Sequence, residues 1–475
     1  MLFRHAPVYL LSRIYTAGCS FLAIWLFSRL FAPAEFGLYV TVMAITTMVN
    51  MSLLQWLRVT QTRYAPGNAN LEELRQVILA LFLAMLFGIS LALPIAWLLP
   101  LSVHIREVVL FSVLSSIAIA WSEFSLNIIR TRLKPGQFLL FSFTRDTLQI
   151  VLVLVLLALG WRASALIGAF VLGNLLPFLL WLPSMAREIW PPRFKPALTK
   201  ELLRYGLPLA GIYCLASLIT NMDRLLLPWL ADAHAVGLYG AAYGIARQSI
   251  TTVMYSINLA SFPLAVHALA NKGPEAAVRE MQQNFSAILM VGLPSFVGLA
   301  MLAPLIANTL LGSDYVVAAT HLIPWVAGAA LLAGVRSFHS DLAFQLGKDT
   351  RFPLIIIAIT AVFALPLGAW FIGRWGVNGA AYGTVLATSF ALVLSWWLGQ
   401  RVFAIALPRR DTLCIVLASA AMALVLLPFR AEAGFIWLVL AIGVGGLVYG
   451  SLIAAFNVMS IRSKVWQRLR RAKEA

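Results

Sequence analysis

The run QVILALFLAMLFGISLALPIAWLLP, residues 76–100, contains no charged side chain. As a helix it rises about 37 Å, enough to cross a hydrocarbon core of roughly 30 Å. A membrane β-strand needs only about 10 residues, with strict alternation of polar and apolar positions; this run is too long and too continuous. Comparable runs flank it. They lie near 8–31, 36–57, 108–129, 138–159 and 163–185 before the polar stretch 186–203, and near 204–230, 236–262, 284–311, 318–343, 353–373, 377–400, 412–428 and 435–456 after it. The chain therefore reads as an all-α polytopic membrane protein with about fourteen transmembrane helices. Its composition agrees: 475 residues, 61% hydrophobic, 11% charged, mean hydropathy +0.89. A soluble protein carries roughly 25% charged residues, so the polar surface needed to face water all round is missing.

Basic residues near span ends stay cytoplasmic. With the N-terminus inside, 25 of the 35 Lys and Arg fall in inner loops and tails, and four fall outside: Arg106, Arg162, Arg374 and Arg430. The rest, Arg13, Arg29, Arg145, Arg224, Arg247 and Arg336, lie within spans. That bias places both termini in the cytoplasm. It also accounts for the net charge of +17 as a topology signal and a contact with anionic headgroups, leaving no call for nucleic acid as a partner. The densest basic cluster is the tail 461–475, directly after the last span.

Cys19, Cys214 and Cys414 form no disulfide or metal-ligand pattern. Trp56, Trp97, Trp161, Trp190, Trp370, Trp375 and Trp437 sit at span ends, as interfacial tryptophans do. The sequence has no phosphate-binding glycine loop and no Ser-His-Asp set, so no catalytic residue, metal or cofactor is expected. Gly443-Val-Gly445-Gly446 reads as close helix packing.

The stretch Leu30-Phe-Ala-Pro-Ala-Glu-Phe-Gly37-Leu38-Tyr39 is echoed by Leu230-Ala-Asp-Ala-His-Ala-Val-Gly237-Leu238-Tyr239. Each occupies the outer connection between the first two spans of a six-span block. A weaker echo links Arg130-Thr-Arg132-Leu-Lys134-Pro-Gly-Gln-Phe138 with Phe344-Gln-Leu-Gly-Lys348-Asp-Thr-Arg351-Phe352. An even number of spans per block makes the repeats parallel, related by a pseudo-two-fold axis along the membrane normal, with a cavity between lobes. The expected organisation is an N-terminal lobe 1–185, a cytoplasmic linker 186–203, a C-terminal lobe 204–403, two extra spans in 404–460 and the basic tail 461–475.

Ionisable groups inside a bilayer are costly and point to function or to structural pairing. Arg29 can snorkel to the outer surface. Arg13 lies deeper, and Arg247 and Arg336 are near mid-membrane, about 16 Å from a span end. Glu123, Asp146, Asp223 and Asp341 are possible partners or ion-coupling acids. Arg145-Asp146 and Asp223-Arg224 are sequence neighbours that point about 100° apart on a helix, so simple mutual neutralisation on one face is not expected.

Several segments together resemble the polysaccharide-flippase branch of the multidrug, oligosaccharidyl-lipid and polysaccharide exporter superfamily. They are an Arg-bearing first span leading into Phe31-Ala-Pro-Ala-Glu35-Phe-Gly37-Leu-Tyr39, the exit Arg130-Thr-Arg132, Arg204-Tyr-Gly206-Leu-Pro208, Asp223-Arg224-Leu-Leu-Leu, Val236-Gly237-Leu-Tyr239-Gly-Ala-Ala-Tyr243 and Gly376-Val-Asn-Gly379-Ala-Ala-Tyr-Gly383. The resemblance implies a two-lobed, fourteen-helix flippase in a bacterial inner membrane. It implies a polyprenyl-pyrophosphate-linked oligosaccharide as cargo, moved by alternating access for O-antigen, capsule or exopolysaccharide synthesis. Arg13, Arg58, Arg247 and Arg336 are then the positions that could contact the pyrophosphate. A proton or sodium gradient would drive transport, and a polymerase and chain-length regulator would act beside it. The rival readings are an ion-coupled multidrug antiporter of the same superfamily, whose site would favour acidic residues, and a membrane polymerase or ligase, for which the short outer loops leave little room.

Overall fold

The computed structural model describes residues 2–65, 70–132, 134–349 and 351–460; the side chain of Arg13 and the basic tail 461–475 lie outside the described residues. The described residues form an all-helical, multi-pass membrane protein. The chain divides into two compact units, Met1–Gly237 and Leu238–Ala475.

Unit 1 begins with α1 (Leu2–Leu30), whose apolar part is Ile14–Leu30. There follow α2 (Pro33–Leu53), α3 (Gln55–Tyr64), α4 (Leu71–Ser90), α5 (Ala92–Leu98), α6 (Val103–Thr131), α7 (Pro135–Ala158), α8 (Ala163–Ile189) and α9 (Pro196–Leu230). The starts have local causes. Pro33 presets the first turn of α2, and the Glu35 carboxylate accepts the Ala32 N–H at 3.1 Å. The Asn70 side chain accepts the Glu73 N–H at 3.2 Å and caps α4. Helices α2 and α3 form one crossing bent at Leu54, and α4 and α5 form another.

Unit 2 takes most of α10 (Ala233–Lys272), then α11 (Pro274–Met301), α12 (Ala303–Leu310) and α13 (Ser313–Val335). A π-helical turn, Arg336–Ser340, joins α13 to α14 (Leu342–Leu346). After these come α15 (Arg351–Val402), α16 (Arg409–Leu426) and α17 (Phe435–Ala455).

Among the described residues, twelve helical stretches are long and apolar enough to cross a membrane. The 52-residue α15 is two of these crossings in one: Gly376 has φ 56°, ψ −131°, a conformation that breaks the helix and that glycine adopts without strain. Beyond it the chain doubles back. Gly383 lies against Gly368, and a Cβ on Gly379 would overlap the Phe371 carbonyl. With that helix counted twice and Ile14–Leu30 added, the crossings number fourteen, as the hydropathy pattern predicts.

Some expectations change in detail. Most of 186–203 is helical, because α8 runs to Ile189 and α9 starts at Pro196. Helix α10 has 40 residues, about 60 Å and twice the hydrocarbon thickness, so it extends well past the predicted 236–262. Trp56 is not interfacial. It is 1% exposed, its ring lying where a Cβ on Gly206 would be, so a bulky side chain at 206 would separate α3 from α9. Of the three glycines in 443–446, Gly445 has the close contact, against Leu426 of α16.

The core of unit 1 gathers Trp56, Leu57, Ile78, Phe82, Phe124 and Phe178. Phe82 stacks on Phe124 and Trp121 on Phe178, each at 4.5 Å between centroids. Large apolar side chains such as Leu98, Val103, Val362 and Ile436 point outward. Lipid, not water, is the solvent that tolerates them.

Candidate functional site

Along α3 the sequence separates into two stripes. Trp56, Leu57, Thr60 and Gln61 are buried. Gln55, Arg58, Val59, Thr62 and Arg63 recur at i, i+3, i+4, i+7 and i+8, one face of a helix, and all five line a cavity of about 780 Å³. Glu123 and Arg130 of α6, seven residues and two turns apart, and Tyr205 of α9 complete the wall. The volume suits a ligand of small-molecule size.

Three arginines and one carboxylate give this wall a cationic surplus. Each arginine is positioned differently. Arg130 donates to Asn127 Oδ1 at 2.7 Å, and Asn127 donates in turn to Gln61 Oε1 at 2.6 Å, which fixes α6 to α3. The Arg63 guanidinium lies 4.6 Å from the Tyr205 ring centre and donates to its hydroxyl at 3.3 Å. The close Trp56–Gly206 approach is what holds Tyr205 beside α3. Arg58 is the least satisfied: Nη1 is 3.6 Å from Glu123 Oε2, and its buried Nε has no hydrogen-bond partner within the protein. A buried donor left unmade costs about 1–3 kcal/mol, more when charged, so Arg58 is held in the cavity wall at a cost.

The other sequence-predicted residues are placed as follows. Asp146 of α7 receives Arg145 Nε at 2.9 Å and the Thr16 hydroxyl at 2.7 Å. Asp223 of α9 lies 3.8 Å from Arg224 Nε, and Arg224 also donates to Asn221 Oδ1 at 3.0 Å. Both neighbouring pairs thus make ion pairs, contrary to the helical-wheel expectation, because the arginine stem is long enough to fold back around the helix. Arg145 also approaches Glu123 Oε1 at 3.5 Å, joining Asp146 to the cavity wall. Outside the spans, Glu35 pairs with Arg162 at 2.8 Å and, chiefly through that hydrogen bond, raises the pKa of Arg162.

In unit 2, Arg247 lies over the Tyr243 ring at 5.2 Å. Arg336 pairs with Asp341 at 3.5 Å, and Ser395 donates to the other oxygen of Asp341 at 2.6 Å. The π-helical turn sets this pair: Asp341 N–H bonds to Arg336 O at 2.8 Å, stacking residues five apart that a regular α-helix would separate. His339 in the same turn is fully buried between Phe285 and Trp396. A cavity of about 300 Å³ in this unit, lined by Trp325, Phe371 and Tyr382, has no Asp, Glu, Lys, Arg or His in its wall. Among the described residues no cluster of His, Cys, Asp and Glu could hold a metal ion.

Sequence reasoning identifies Arg58 and Glu123. It counts Arg63 only as a topology charge, quotes Arg130 and Tyr205 only within repeat or family segments and not as site residues, and omits Gln55, Val59 and Thr62. The amphipathic stripe of α3 is the signal that would have found most of them.

A family model described as "Polysaccharide biosynthesis protein" matches residues 26–320. The chain is 23% identical over 408 residues to a probable low-salt glycan biosynthesis flippase of Haloferax volcanii, covering 81% of this chain and 80% of that one. Its fold is similar to that of the lipid II flippase MurJ in an inward closed conformation, with TM-score 0.75, 16% identity and coverage of 96% of this chain and 99% of that one. It is also similar to an inward-facing MATE-family multidrug resistance transporter of the MOP superfamily, with TM-score 0.64, 17% identity and coverage of 81% and 93%.

Proposed function

Because the chain belongs to the polysaccharide biosynthesis protein family, we propose that it is a flippase for a polyprenyl-pyrophosphate-linked oligosaccharide, with the pyrophosphate docking at the arginine-lined cavity of α3 and α6. The observation that carries this reading is Arg58, a side chain 14% exposed that lines a polar cavity with more arginines than acids and approaches Glu123 only to 3.6 Å.

The physical problem of such cargo is its charge. A pyrophosphate cannot enter roughly 30 Å of hydrocarbon unaided. Arginine suits phosphate because its forked N–H groups match two oxygens at once. The prenyl chain can stay in lipid while the headgroup crosses within protein. The named relative with a glycan-flippase description supports the substrate class, and the fold likeness to both a flippase and a multidrug transporter supports transport. An antiporter for cationic drugs would need acids in this wall, and the surplus runs the other way.

Within this reading both termini are cytoplasmic in a bacterial inner membrane, and the product feeds surface polysaccharide such as O-antigen, capsule or exopolysaccharide. A polymerase and a chain-length regulator act on the delivered units. A proton or sodium gradient supplies the energy, with Glu123, Asp146, Asp223 and Asp341 as the coupling acids. Deleting the gene should leave lipid-linked oligosaccharide on the cytoplasmic leaflet and remove the surface glycan, with drug tolerance unchanged. Intact glycan with lost drug tolerance would favour the antiporter instead.

A further inference from the structure

The cavity already holds an anion of its own where an incoming phosphate would have to sit. Glu123 enters from α6 with its two oxygens turned to different arginines: Oε2 is 3.6 Å from Arg58 Nη1, and Oε1 is 3.5 Å from Arg145 Nη1. Charge-assisted N–H···O bonds are closer to 2.7–2.9 Å. Arg145 has such a bond, but to Asp146, at 2.9 Å. Glu123 therefore neutralises both arginines while held only by one long hydrogen bond, from Arg145 at 3.5 Å, and by none from Arg58.

The two partners also differ in freedom. The Arg58 side chain is 14% exposed, whereas that of Glu123 is 37% exposed. The carboxylate has space to swing away into the cavity, and the guanidinium does not. A diphosphate can engage the guanidinium through two oxygens at once, which the carboxylate, with a single approach to Nη1 at 3.6 Å, does not.

We propose that Glu123 is an exchangeable counter-ion: a diphosphate entering the cavity displaces the Glu123 carboxylate from Arg58, and the return of the carboxylate helps expel the diphosphate. This rests on the docking of an anion at Arg58 argued above. It adds a reason for one acid to stand in a cationic wall. A site with arginines alone would bind the anion and keep it; transport needs binding favourable enough to enter and weak enough to leave. Glu123 then lowers affinity and supports turnover. A purely structural Glu123 does the reverse, holding Arg58 in position and raising affinity.

The experiment is calorimetric titration of the full chain in nanodiscs with inorganic pyrophosphate and with farnesyl pyrophosphate. Wild type is compared with Glu123→Gln, Glu123→Asp and Arg58→Ala. Glu123→Gln should bind inorganic pyrophosphate about fivefold more tightly, the scale of one partly screened ion pair. Glu123→Asp, which keeps the charge but shortens its reach, should tighten binding by less. Arg58→Ala should lose binding. Farnesyl pyrophosphate should show the same ordering and bind more tightly than the inorganic ion, identifying a lipid-borne diphosphate; equal affinities would identify a soluble one. Unchanged or weaker binding by Glu123→Gln, with Arg58 still required, would overturn the counter-ion role and leave the docking reading intact. Binding that survives Arg58→Ala, or no binding by any variant, would overturn both.

Discussion

Gly37 and Gly237 rest on each other's helices: a Cβ on Gly37 would overlap the carbonyl oxygen of Ala233, and a Cβ on Gly237 would overlap that of Pro33. The contact is reciprocal, and all four residues lie within unit 1. Pro33 and Ala233, like the two glycines, are equivalent positions of the Gly-Leu-Tyr repeat. The repeat seen in the sequence is thus also a place where its two copies touch, and only glycine permits that approach.

Adding a methyl group there should be felt. Gly37→Ala and Gly237→Ala should each destabilise the protein by roughly 1–3 kcal/mol, the cost of overpacking a tight contact. A lower unfolding midpoint of the purified protein in detergent would report it. Gly88→Ala, inside α4 at a position with open space around it, should leave the midpoint unchanged or raise it, since Ala is the better helix former.

The charge bias predicts which connections face outward. A reporter active only outside the cytoplasm should give signal when fused at Ser313 and none at Lys195. The opposite pattern would invert the topology.

The pair of Arg336 and Asp341 should behave as a structural unit. Asp341→Ala strands a partly buried guanidinium, and breaking a buried pair costs up to about 3–5 kcal/mol. With side chains 23% and 29% exposed, the loss should fall below that range. Membrane abundance should drop with Asp341→Ala and recover when Arg336→Ala is added. Abundance that stays low in the double variant would mean that Arg336 has another essential partner.

A carboxylate relay through Asp146, Asp223 or Asp341 requires at least one of them to matter for transport. Full surface glycan with Asn at each position in turn would eliminate a relay through these acids. All three are engaged by an arginine, so abundance must be measured alongside.

Much of the fold is legible in the sequence because membrane helices must satisfy their backbone internally and show long apolar runs. The fourteen crossings and the hairpin at Gly376 follow from that constraint. Local charge geometry is less legible. Arg145 and Asp146 point apart at Cα and still meet, because side-chain reach is not set by helical phase. Arg336 and Asp341 meet through a π-helical turn, for which Arg336–Ser340 shows no clear sequence signal. Arg63 and Arg130 are hidden by the positive-inside rule itself: at the end of a span, a ligand-binding arginine and a topology arginine look alike. What separates them is the stripe Gln55, Arg58, Thr62, Arg63, whose opposite face, Trp56 and Leu57, is buried. Trp56 misleads for the same reason, since a span end packed on another helix reads like one at the lipid interface.

Surface glycan and membrane abundance, measured together for variants of Arg58, show whether the anionic headgroup docks in the cavity. Arg58→Lys keeps the charge and loses the fork, so transport should fall but persist. Arg58→Ala should abolish surface glycan while the protein still accumulates in the membrane, and lipid-linked oligosaccharide should build up on the cytoplasmic leaflet. Normal surface glycan with Ala at this position would contradict the docking of an anionic headgroup in the cavity.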